Sequence, residues 1–187
     1  MIDGRTYINA LAQRAQAQRS RVNNAQVGPL QALIVDSYES LGLSEVRYCV
    51  IVASVPEVNA VIVGDVTRCG VSWASGTANG VKGFSTSIIT IVGLVSPRVA
   101  PDAVSAATAK PSMEWAGAHR SVVVDLANNA VHAYTGTGFR EWAVASGIKA
   151  KLNTLFLPPA QIGQFGPPPS QYPPGPPPQQ PGGRPRY

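Results

Sequence analysis

The spacing of apolar residues changes character several times along the chain. From Arg5 to about Val27 the apolar residues Ile8, Leu11, Ala12, Ala15 and Val22 recur on one thin face. Ala, Gln and Arg dominate the rest, a composition that predicts a first helix. Gly28-Pro29 interrupts it, because Gly suits a helix end and Pro a fresh start. Leu30, Leu33, Ile34, Tyr38 and Leu41 then fall at helical spacing and predict a short second helix over Leu30 to Leu41. After Val46 the pattern turns β-branched. VRYCVIVASV and AVIVGDVTRCGVSW alternate in part and predict two strands, with Pro56-Glu57-Val58-Asn59 as the turn between them. SGTANGVKG reads as a loop about Asn79-Gly80, STSIITIVGLV as a third strand, and Pro97 to Lys110 as a connector with a helical turn or two after Pro101.

Two patterns compete over residues 119–135. Ser112 as an N-cap, Glu114 in the first turn, Val123, Ala127, Ala130 and Tyr134 at helical spacing, and Gly136 as a C-cap describe a helix. The β-branched run Val122-Val123-Val124 and the Asn128-Asn129 pair describe a hairpin joining VVVDL to AVHAY. A further helix is predicted from about Phe139, with Trp142, Ala143, Ala145, Ile148, Leu152, Leu155 and Phe156 as its apolar stripe. Beyond Leu157 the chain is too rich in proline and too poor in aliphatic residues to form a core. The expected architecture is therefore α+β, with N-terminal and C-terminal helices flanking a β-rich middle. Residues 1–157 form one folded domain, and residues 158–187 form a disordered proline-rich tail.

Composition narrows the functional classes. Hydrophobic residues make up 44% of the 187 positions, enough for a core, whereas charged residues make up only 13%, about half the usual share. Weak mutual repulsion between copies permits self-association. The net charge of +5 is unevenly spread, since no acid lies between Asp3 and Asp36 or between Asp65 and Asp102. Arg14, Arg19, Arg21, Arg68, Lys82, Lys149 and Lys151 are the candidate contacts to nucleic-acid phosphates, of the kind that position a ligand without reading its sequence. Met1 to Arg21 has no apolar signal core, and the apolar run Ile88 to Val95 is far shorter than a membrane span. A soluble, cytoplasmic protein without membrane contact is expected. Cys49 and Cys69 then read as two free, packed thiols.

Motifs for catalysis are weak. Ser121, Asp125 and His132 contain the residue types of a nucleophilic triad, but neither element type supplies an oriented base together with an oxyanion site. The spacings of Cys49, Cys69, His119 and His132 do not suit a metal. GTANGVKG lacks the Gly-Lys-Ser/Thr ending of a phosphate loop, and GTGF is too short for a dinucleotide fingerprint. No catalytic residue, metal or cofactor is predicted. The tail carries a different signal: Pro167, Pro168, Pro169, Tyr172, Pro173 and Pro174 form an extended segment of the type that docks in aromatic-lined grooves.

The AQRAQAQRSR helix, the APDAVSAATAKPS connector and the GPPPSQYPPGPPP tail give a chain in which Ala, Pro and Ser together supply about 30% of residues, against about 20% ordinarily. In composition the chain resembles the proline-alanine-serine-rich coat-type proteins of filamentous or capsidless fungal RNA viruses. That resemblance implies RNA coating through non-sequence-specific contacts, self-assembly into a homo-oligomer and a virion-associated location, and it assigns no individual residue. The leading expectation is a non-enzymatic structural or interaction protein that self-associates, with RNA as its polyanion. An adaptor whose tail binds a proline-recognising partner is the alternative, and a small enzyme without a recognisable motif is the third reading.

Overall fold

A computed structural model describes residues 2–41, 44–77, 86–111, 117–136 and 144–162. The protein is α+β. In chain order the elements are α1 (Gly4–Ala17), β1 (Arg21–Val27), β2 (Leu30–Leu41), β3 (Ser44–Ser54), α2 (Ala60–Gly76), β4 (Thr86–Ser96), α3 (Pro101–Thr108), β5 (Gly117–Asp125), β6 (Ala130–Ala133), α4 (Ala145–Leu155) and α5 (Pro159–Ile162). The six strands form one mixed sheet in sequence order. β1, β2 and β3 form an antiparallel meander, β4 runs parallel to β3, β5 parallel to β4, and β6 returns antiparallel to β5.

Alternate side chains of each strand enter two separate cores. One face buries Leu33, Val35, Tyr48, Val50, Ile91, Val122 and Val124 against Tyr7 and Leu11 of α1, Ile148, Leu152 and Leu155 of α4, and Ile162 of α5. The other buries Ile34, Cys49, Ile51, Val92, Leu94 and Val123 against Val63, Val66 and Ala74 of α2 and Ala103 and Ala107 of α3. Two covered faces explain the runs Leu33-Ile34-Val35 and Val122-Val123-Val124. A strand buried on both sides has no reason to alternate apolar with polar residues.

That same physics corrects the predicted second helix. Residues 30–41 form β2, whose continuous apolar run imitates helical spacing. The first helix is shorter than predicted. Asp3 caps its start by accepting from the Thr6 amide at 2.7 Å, and Tyr7, Leu11 and Ala15 are its buried stripe. It ends where Arg19 takes the left-handed φ of 59°, and residues 21–27 become β1. Gly28, at φ 56°, opens the two-residue turn into β2. The predicted strand AVIVGDVTRCGVSW is instead helix α2. Asn59 caps it by accepting from the Ile62 amide at 3.0 Å, and Val63, Val66, Thr67, Gly70 and Ala74 face the sheet. Parallel β3 and β4 need a crossover between them, and a helix supplies it. β-branched content alone points the wrong way here.

Over residues 119–135 the hairpin is observed. Its turn holds four residues, Leu126 to Asn129, rather than the Asn128-Asn129 pair alone. The Asp125 carboxylate accepts from the Asn128 backbone amide at 2.9 Å and its side-chain amide at 2.7 Å, and Asn129 adopts φ 54°. The third predicted strand and the helical turns after Pro101 correspond to β4 and α3, and the predicted C-terminal helix corresponds to α4 from Ala145 onward, its predicted first positions Phe139, Trp142 and Ala143 lying outside the described residues. Packed chain continues past residue 157. Tyr7 donates its hydroxyl to the Leu157 carbonyl at 2.8 Å, the Ala160 amide donates to the Asn129 side chain, and Ile162 is buried.

Candidate functional site: a cationic groove on one face of the sheet

The two faces of the sheet are closed unequally. α2 and α3 cover the middle of theirs, and toward β5 they leave a groove of about 510 Å³, within the range of ordinary ligand sites. One wall is a single stripe of α2: Ala60, Val63, Gly64, Thr67, Arg68, Val71 and Ser72. A methyl group on Gly64 would meet no atom within 4 Å, so the wall is open at its middle. The end of α3 and the residues after it form the second wall, with Ala106, Ala107, Ala109, Lys110 and Pro111. His119, Arg120 and Ser121 of β5 and Tyr134 line the base.

The electrostatics of the groove are one-sided. Arg68, Lys110 and Arg120 line it with His119, and no carboxylate is among the described lining residues. Arg120 is only 2% exposed, donates to the His119 carbonyl at 2.9 Å and lies 5.3 Å from the centre of the Tyr134 ring. The face of such a ring attracts a guanidinium and helps to fix its position. Arg68 pairs with Asp65 at 3.0 Å, but both side chains are largely exposed, so that pair is weak and exchangeable. Thr67 and Ser121 share a hydrogen bond of 2.9 Å across the groove. Hydroxyls from Thr67, Ser72, Ser121 and Tyr134 thus stand among three cations, the donor set an anion with several oxygens requires.

The structure disperses the basic residues predicted from sequence. Arg14 is half-buried in α1 and donates to the Leu155 carbonyl at 2.6 Å, tying α1 to α4. Lys151 pairs with Glu39 at 3.3 Å and lies 5.6 Å from the Tyr48 ring centre. These two cations are engaged in holding the fold. Arg19 and Arg21 are exposed beside the start of β1, and Lys149 is exposed on α4, where it lines a small separate pocket with Arg120 and Tyr134. Of the predicted set only Arg68 lines the groove. Lys82 and the tail positions Pro167, Pro168, Pro169, Tyr172, Pro173 and Pro174 lie outside the described residues.

Lys110, Arg120, Thr67 and Tyr134 were not legible as site residues. Arg120 is in register with Ile91, on the side of β5 that Val122 and Val124 turn toward α4; it contributes to the lining of the groove and also to a small pocket against α4 that Tyr134 and Lys149 share. The residue types of a triad are not assembled. His132 stands opposite Val123 and Asp125 opposite Ala130, while Ser121 is bonded to Thr67. Among the described residues no three of His, Cys, Asp or Glu converge on a point.

A second buried polar centre is structural. Arg47 of β3 forms two bonds to Asp36 of β2, at 2.8 and 3.1 Å, and donates to the Ala74 carbonyl at 3.2 Å. The cation thereby meets the negative end of α2 and anchors it to the sheet. Cys49 is buried beside this pair, and burial, reinforced by the Asp36 charge, pushes its thiol up to about 12. Both cysteines are free thiols. No described helix is long and apolar enough to cross a membrane. Comparison with protein-family models, curated proteins and solved structures finds no match for this chain.

Proposed function

We propose that this is a non-enzymatic interaction protein that self-associates and binds the phosphates of a polyanion, with RNA as the polymer, through the groove between α2, α3 and β5. The observation that carries the reading is the lining of that groove: Arg68, Lys110 and Arg120 with four hydroxyl-bearing side chains, and no acid among the described residues. A net charge of +5 and the exposed Arg19, Arg21 and Lys149 support approach of a polyanion over a wider surface. These cations are taken as contacts to backbone phosphates, which position a polymer without reading its sequence.

The test is fluorescence anisotropy of a labelled single-stranded RNA titrated with the full chain at several salt concentrations. Affinity is expected to fall as salt rises. Arg68→Ala and Lys110→Ala are each expected to reduce the slope by about 0.7 for each phosphate that is no longer neutralised. Binding that ignores salt, or that is identical to wild type in both variants, would overturn the reading.

A further inference from the structure

The sheet has two edges of different design. β6 is a stub of four residues, Ala130–Ala133, too short to offer a neighbour more than one or two ladder bonds. β1 is seven residues long, Arg21–Val27, and pairs with β2 residue for residue without a bulge. Among the described residues nothing pairs with its outer edge. Native proteins blunt such an edge with proline, lysine, a bulge or a covering segment. The sequence RVNNAQV has no proline, lysine or acid, and its one charge is at the end. The chain's own tail is a poor cover. From Pro167 onward it never runs more than three residues without proline, and proline lacks the amide a ladder needs.

We propose that β1 pairs antiparallel with β1 of a second copy, about a twofold axis through Asn24, joining two six-stranded sheets. The inference rests on the self-association in the reading above and gives it a surface and a geometry. Centred on Asn24, the strand is self-complementary. Arg21 stands opposite Val27 of the second copy, Val22 opposite Gln26, Asn23 opposite Ala25, and the two Asn24 side chains meet on the axis. No like charges oppose each other, and the two arginines sit at opposite ends of the new pair. Opposed residues of an antiparallel pair point to the same side. Ala25 and Val27 pack in the core beneath α2, whereas Val22 packs in the core beneath α1. Odd positions therefore meet odd positions, and each helical layer continues into the equivalent layer of the second copy. The interface is isologous and closes at two copies.

The experiment is sedimentation equilibrium of the nuclease-treated full chain at high salt, across a range of protein concentration. Wild type is expected to move from monomer toward dimer as concentration rises. Asn24 is exposed, so Asn24→Glu and Asn24→Lys are expected to keep the wild-type circular dichroism. Each places like charges on the axis and is expected to weaken dimerisation about tenfold or more. An equimolar mixture of the two variants is expected to restore the dimer. In wild type, the amides of residues 21–27 should gain protection from hydrogen exchange as concentration rises. A wild type that stays monomeric, dimerisation unchanged in both variants, a mixture that fails to recover, or no added protection at residues 21–27 would each overturn the proposal. RNA anisotropy on the same samples separates this from the groove. Asn24→Glu losing the dimer while still binding RNA condemns neither reading, whereas Arg68→Ala and Lys110→Ala binding RNA like wild type while dimerising normally condemns only the groove.

Discussion

The two faces of the sheet draw on the same strands and reach opposite outcomes. Beneath α1, α4 and α5 two cations are consumed: Arg14 holds the Leu155 carbonyl and Lys151 holds Glu39. Beneath α2 one cation, Arg47, is consumed in anchoring a helix end, while Arg68 and Lys110 line a space without a described acid. A closed face turns its charges into fasteners, and an incompletely closed face leaves cations lining a space that a ligand can enter. Charge counting along the sequence cannot separate the two uses, because both sets are arginines and lysines in polar contexts.

Arg47 gives the largest way to break this contrast. Arg47→Ala leaves the Asp36 carboxylate and the end of α2 without their partner in a nearly dry site. Removing one member of a buried pair typically costs about 3–5 kcal/mol. Chemical denaturation should show that loss. A cost below about 1 kcal/mol would mean that the α2 face is held by its apolar packing alone.

Glycines probe how tightly each face is closed. A methyl group at Gly93 would lie 2.5 Å from the Phe156 ring, and one at Gly70 would lie 2.7 Å from the Val92 side chain. Gly93→Ala and Gly70→Ala should each destabilise by about 1–3 kcal/mol through overpacking. At Gly64 the added methyl enters open groove, and Gly64→Ala should stabilise by about 0.5–1 kcal/mol through helix propensity. Thermal unfolding of the three variants checks the signs. A destabilised Gly64→Ala would show that the groove wall is already filled.

Exchanging the roles of two arginines sharpens the comparison further. Arg14→Ala removes a charged hydrogen bond and should cost about 1–3 kcal/mol of stability with RNA affinity little changed. Arg68→Ala should leave the unfolding midpoint unchanged and reduce RNA affinity. Parallel denaturation and anisotropy on both variants read the pattern directly, and the reverse pattern would refute the division of labour between the faces.

The smallest effect is a pH dependence on the α2 face. Burial raises the Cys49 thiol to about 12, whereas an unfolded thiol ionises near about 8.5. The native state therefore keeps the proton that the unfolded state loses. This contribution is complete below about pH 8.5 and declines as pH rises from there toward about 12. Tyr48 is likewise raised to about 12, by burial and then by Glu39, and adds a decline of the same sign above about pH 10. The urea midpoint should fall between about pH 8 and pH 10, and fall less in Cys49→Val. At about pH 8 a thiol reagent should label Cys69 in the native protein well before Cys49.

Local chemistry in the sequence determined a good deal about this protein. It determined the α+β class, an N-terminal helix from about Arg5, the strand STSIITIVGLV, the helix after Pro101 and the apolar stripe Ile148, Leu152, Leu155. Each of these rests on a cap, a turn residue or a period that neighbouring residues supply by themselves. The tertiary structure decided the rest. A strand covered on both faces loses its alternation, so β2 imitates a helix, and only α1 and α2 on either side of it explain why. A crossover between parallel strands must be a compact element, so the β-branched AVIVGDVTRCGVSW became α2 with only the Asn59 cap to announce it. The groove lies further still from local signals. Arg68, Lys110 and Arg120 come from three separate parts of the chain, and what unites them is the gap that α2 and α3 leave over β5. That gap follows from helix lengths and packing distances, which no short stretch of the chain encodes.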